Sequence, residues 1–198
     1  MRVKSQWFKS DRPKTPEEVA SAAAFITWRI AHNALKETRK ASFEVEIGDQ
    51  YFDFLSEFLI FLIQANDRIL HRQFHWDIRV RFITAMANHL ATTFAENKVE
   101  LMQNHFADTK DGFIQRLNQR AEGYAEHDYG QDQSNFGFLR YLGYCIGSHM
   151  NSHDQPWILD QIMSVEAPEA LATLERAVKN LLDKACMEDN DSPTPCPE

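Results

Sequence analysis

Apolar residues recur every three or four positions along most of the chain, the period of helices buried on one side. The first such run opens with Thr15-Pro16-Glu17-Glu18. A threonine cap, a proline at the first helical position and a glutamate three residues past the cap satisfy orphan backbone donors. The pattern predicts a helix to about Lys40, with Lys36, Arg39 and Lys40 favourable at its negative end. This helix carries two apolar stripes. Val19, Ala22, Ala23, Ile26 and Ile30 form one, and Phe25, Trp28, His32 and Leu35 form the other. A helix apolar on two sides is either central in a bundle or covered by a partner.

Residues 42–47 alternate apolar and acidic positions and read as a short extended segment, with Asp49 the expected cap of the next helix. A second helix is predicted over about 50–74. Its density of Phe, Leu and Ile marks it as the central core element, and Asp53, Glu57, Gln64, Asp67, Arg68 and His71 share one sector of its wheel. Further helices are predicted over about 77–106, 112–125, 136–148 and 157–163, with a turn at 108–112. Pro168 is read as opening a last helix that runs to about 185. Gly143 and Gly147, four apart, would let another helix approach closely. No strand–turn–strand pattern is visible. The expected fold is therefore all-α, a single-domain bundle of six or seven helices over 15–186. A basic arm (1–14) precedes it, and a disordered, acidic, proline-rich tail (187–198) follows.

Composition narrows the class. A length of 198 residues and 43% hydrophobic content suit a folded domain and exclude global disorder. The longest apolar run, 58–63, falls far short of the roughly 18 residues that a span needs. Three cysteines, Cys145, Cys186 and Cys196, make neither a disulfide framework nor a zinc ribbon, and a reducing cytoplasm is the expected location. The net charge is −8. Residues 101–198 hold 16 acids against 7 bases. So acidic a chain is a poor nucleic-acid binder, since phosphate contacts supply most non-specific affinity. Contact with an anionic surface is an expectation for residues 2–14 alone.

The motifs of common catalysts are absent: no phosphate loop, no dinucleotide fingerprint and no nucleophile elbow. Eight histidines invite a metal test. Asp67, His71 and His75 are spaced i, i+4, i+8, and Glu57 could add an oxygen ligand. Imidazoles with carboxylates suit zinc, iron or nickel. Ordinary solvent exposure of one helix sector explains Asp67 and His71 equally well. His149 and His153 are a further i, i+4 pair at a helix end. Asp53 and Glu57 could work as an acid/base pair if their sector lined a cleft. Cys145 lies in an apolar helical pattern and reads as core.

The expectation is a non-enzymatic helical protein, without a cofactor, that acts through a protein partner or by self-association. Its interface candidates are Phe25, Trp28, His32, Leu35 and Trp157, since aromatic residues anchor interfaces. The specific version is a homodimer through the first helix. The alternative is a metal-dependent helical-bundle enzyme using Asp67, His71, His75 and Glu57.

Overall fold

The structure, a computed structural model, describes residues 14–130 and 135–185. The expected tail lies outside the described residues. So do the basic arm, apart from Lys14, and both Cys186 and Cys196. Among the described residues the fold is an all-α bundle without strands. Its elements are α1 (Pro16–Lys40), α2 (Asp49–His71), α3 (Trp76–Met102), α4 (Phe106–Ala125), α5 (Phe136–Gly147), α6 (Gln155–Gln161) and α7 (Ala167–Ala185). A π-turn, Ile162–Glu166, joins α6 to α7 without a break. The last helix expected from Pro168 to about 185 is present as α7, and it follows directly on the π-turn. A proline inside a helix removes a backbone donor and pushes its ring against the carbonyl four residues back. The π-turn just ahead of Pro168 widens the helix where that crowding would fall.

α2 is the central element. Phe52, Phe54, Leu55 and every residue from 58 to 63 are buried. It packs against α1, α3, α4, α5 and α7. Phe58, Tyr124 and Phe138 surround Phe61, at ring separations of 5.8, 6.2 and 5.1 Å. Phe52 meets Phe94 of α3 edge-on at 5.6 Å.

α1 is also built into the bundle, while Phe25, Trp28 and His32 of its second stripe keep part of their surface exposed. It packs on α2, α3 and α7. Its buried side is built largely of small residues, Ala20, Ala23, Ala24, Thr27, Ala31, Ala34 and Thr38, which allow close approach. The capping box forms as expected: Thr15 Oγ1 accepts from the Glu18 amide at 3.3 Å, and Glu18 accepts from the Thr15 amide at 3.0 Å. Such a cap contributes about 1 kcal/mol. An ion pair between Glu17 and Arg81 at 2.7 Å, with Asn97 beside the far end of α1, makes α1 and α3 parallel. Lys14 donates its amide to the Ala185 carbonyl at 3.2 Å, so α7 runs antiparallel to α1.

Several boundaries differ from expectation. Gly48 (φ 136°), not Asp49, caps α2, and Asp49 pairs instead with Lys98 at 2.9 Å. Residues 42–47 form a loop, in which Val45 is buried and Ile47 is exposed. Gln103 takes the left-handed conformation (φ 56°) and ends α3 early. The expected turn at 108–112 is helical, because α4 already begins at Phe106. The close approach at Gly143 is real: a Cβ there would lie 2.5 Å from Leu159 of α6. No described helix is long and apolar enough to cross a membrane.

Candidate functional site

The outer face of α1 forms the floor of an open cleft of about 1220 Å³. Tyr51 of α2 and Asn97 of α3 line one side, and Glu166, Glu169, Ala170 and Thr173 line the other. Three of the five expected interface residues line this cleft: Trp28, His32 and Leu35. Leu35 is 3% exposed, so it belongs to the core beneath the cleft and is not a surface anchor. Phe25 is 38% exposed on the same helix, and the Arg29 guanidinium sits 5.8 Å from its ring centroid. Trp157 is 65% exposed on α6 and does not line the cleft.

Positions 25, 29, 32, 36 and 39 recur at helical spacing and form one ridge along α1. The ridge begins with Phe25 and continues through Arg29, His32 and Lys36 to Arg39, with Lys40 beside it. Lys40 is held by Glu37 at 2.8 Å. His32 is half-buried, with its ring 5.2 Å from Trp28. Burial lowers its pKa and keeps the imidazole neutral. The Tyr51 hydroxyl lies 3.2 Å from His32 Nε2. Burial raises the Tyr51 phenol, which Arg39 only partly offsets, and which of the two groups donates is set by the His32 tautomer. The cleft therefore offers a polar-aromatic end, a basic ridge and an acidic far wall.

The polar sector of α2 has a different use from solvent contact. Glu57 is fully buried. Arg120 of α4 grips it through Nε at 2.9 Å and a terminal nitrogen at 2.8 Å. His149, after α5, lies 3.4 Å from Glu57 and 3.6 Å from Asp53. Arg116 donates to Asp53 at 2.8 Å and to Ser56 at 2.6 Å. Burial alone would raise the Glu57 carboxyl, but hydrogen bonds from His149 and Arg120 outweigh it and hold the pKa below the ordinary value. Each carboxylate has its own arginine, Arg116 on Asp53 and Arg120 on Glu57. Cys145 is buried nearby, its thiol pushed up to about 11 by burial and by Glu57.

The four residues of the metal alternative are not brought together. Glu57 is engaged by Arg120. Arg79 takes both Asp67, at 3.1 Å, and His71, and also lies over the Trp76 ring at 4.8 Å. His75 is exposed at the start of α3. Among the described residues, no three His, Cys, Asp or Glu side chains are grouped to hold a metal ion. His153 turns to Asp154 at 2.8 Å and does not join His149.

Sequence reasoning overlooked Arg116, Arg120 and Glu166. The arginines did leave a signal, because their i, i+4 spacing matches that of Asp53 and Glu57. Glu166 left none beyond its place two residues before Pro168. No family model, curated protein or solved structure matches the chain.

Proposed function

We propose that the protein works by docking an acidic segment of a partner protein on the outer face of α1. The observation that carries this reading is the ridge of Arg29, Lys36, Arg39 and Lys40 beside half-buried Trp28, His32 and Tyr51. An interface with an aromatic centre and a charged rim gains affinity from the first and orientation from the second. The ridge is basic on a chain of net charge −8, so it stands out electrostatically from the rest of the molecule. A second copy laid α1 against α1 would set basic residues against basic ones, which disfavours the homodimer version. The overall negative charge repels a long polyanion more strongly than a short acidic segment, which favours a protein over a nucleic acid.

The test uses two labelled amphipathic helical peptides with leucines on one face, one flanked by glutamates and one by lysines. The glutamate peptide is expected to bind in fluorescence anisotropy, and more weakly as salt is raised. The Lys36→Glu/Arg39→Glu protein should bind it about tenfold more weakly or worse, equivalent to about 1.4 kcal/mol or more. Both side chains are exposed, so its circular dichroism and Tm should match the parent. Equal binding of the two peptides would overturn the reading. So would an unchanged affinity in the double variant, or equally tight binding of a single-stranded oligonucleotide.

A further inference from the structure

The acidic wall of the cleft contains a carboxyl group that docking does not explain. Glu166 ends the π-turn and is 4% exposed. The other buried carboxylates are well compensated. Glu57 has Arg120 and His149. Asp154 accepts the Glu44 amide at 2.6 Å and has Asn151 and His153 beside it. Glu166 has one hydrogen bond, from Gln161 Nε2 at 3.0 Å, and that bond spans the π-turn from end to end. Two further carboxylates repel its ionised form: Glu169 on α7 and Glu37 on α1. The basic residues of α1 lie along the cleft, with Lys40 already committed to Glu37. From α6 the contact is the uncharged Gln161. α5, which also packs on the turn, carries a single charged side chain, the exposed Arg140.

We propose that Glu166 is a proton-operated catch between α7 and α1. With the carboxyl neutral, the π-turn seats against α1 and the cleft wall is fixed. On ionisation, repulsion from Glu37 and Glu169 and the loss of hydration favour release of the wall. This regulates the cleft described above, and its biological meaning rests on the docking reading. The titration direction agrees. Burial raises the Glu166 pKa, the Gln161 bond opposes that, and Glu169 and Glu37 reinforce it. A carboxyl raised in the folded state stabilises the fold below its ordinary pKa. That contribution is lost as pH rises through the folded value. Single π-turns inside α-helices are frequent at functional sites.

The experiment is an amide NMR titration of the full chain, with no peptide present. Residues 162–170 and 33–37 are expected to shift together, with one midpoint above the ordinary glutamate value of about 4.3. Glu166→Gln should remove that transition and hold the contact at every pH. Glu37→Gln and Glu169→Gln should each move the midpoint down, and they keep the test decisive should the buried substitution fail to fold. Affinity for the glutamate-flanked peptide should change across the same midpoint in the parent and not in Glu166→Gln. A midpoint at the ordinary value, a transition that survives in Glu166→Gln, or titration confined to 162–170 would each overturn the catch. A catch that titrates as described while the peptide fails to bind would sink the docking reading alone.

Discussion

Glu57→Gln is expected to lower the free energy of unfolding by about 3 kcal/mol, read as a drop in the urea midpoint at neutral pH. Removing one partner of a buried ion pair costs about 3–5 kcal/mol, because the other charge is left uncompensated. The lower end applies here, since the Arg120 side chain keeps 27% exposure and can recruit water. Two further results would separate the ion pair from general disruption. Replacing both partners with apolar residues, as in Glu57→Leu/Arg120→Met, should restore most of the loss. The difference between parent and Glu57→Gln should also depend on pH in a defined direction. Hydrogen bonds from His149 and Arg120 keep the folded carboxyl below its ordinary pKa despite burial. Its contribution is therefore complete above the unfolded value and disappears as pH falls through the folded one. A cost below about 1 kcal/mol, the range of an exposed pair, would show that the network does not hold α2 to α4.

Phe61→Ala should cost about 3–5 kcal/mol, the usual price of a large aromatic removed from a closed core. Its ring is fully buried and borders Phe58, Tyr124 and Phe138, which come from three different helices. These neighbours are large and themselves buried, so they cannot collapse far into the void. Phe61→Leu, which keeps most of the volume, should cost roughly half as much or less. The check is equilibrium denaturation with near-ultraviolet circular dichroism, which reports the packing of these rings. A small effect in Phe61→Ala would place the organising core elsewhere. Glu57 lies one turn from Phe61, and both touch groups on α4 and in or just after α5. Combining the two substitutions should therefore depart from additivity.

What could be read from the chain beforehand divides along physical lines. The α1 capping box, the apolar density of α2 and the glycine contact at Gly143 were legible, because each is a local signal with one structural solution. The turn expected at 108–112 failed because Asp108, Thr109 and Gly112 favour turns only when nothing stronger competes. Helix propagation from Phe106 outweighs a single glycine, worth about 1 kcal/mol. Pro168 marked the start of α7 within one residue, but not the widened turn that joins that helix to α6. At the candidate site, Trp28 and His32 were found from the stripe that α1 presents. Leu35 shares that stripe, but its place under the cleft depends on the helices packed against α1, which no pattern within α1 reveals. Glu57 looked like a solvated acid because a helix wheel shows a polar sector without showing the arginines that face it.

The backbone bond between Lys14 and Ala185 fixes how the molecule carries a mechanical load. Both ends of the helical body lie at the same pole, where antiparallel α1 and α7 meet. Tension applied through those ends does not shear the bundle along its length. It loads that one bond first and then peels α1 from α7 turn by turn. Resistance to pulling is thus set by the seam that α1 forms with α7, α2 and α3, and by the rate at which it opens. The aromatic interior around α2, which dominates thermodynamic stability, bears force only after that seam has parted.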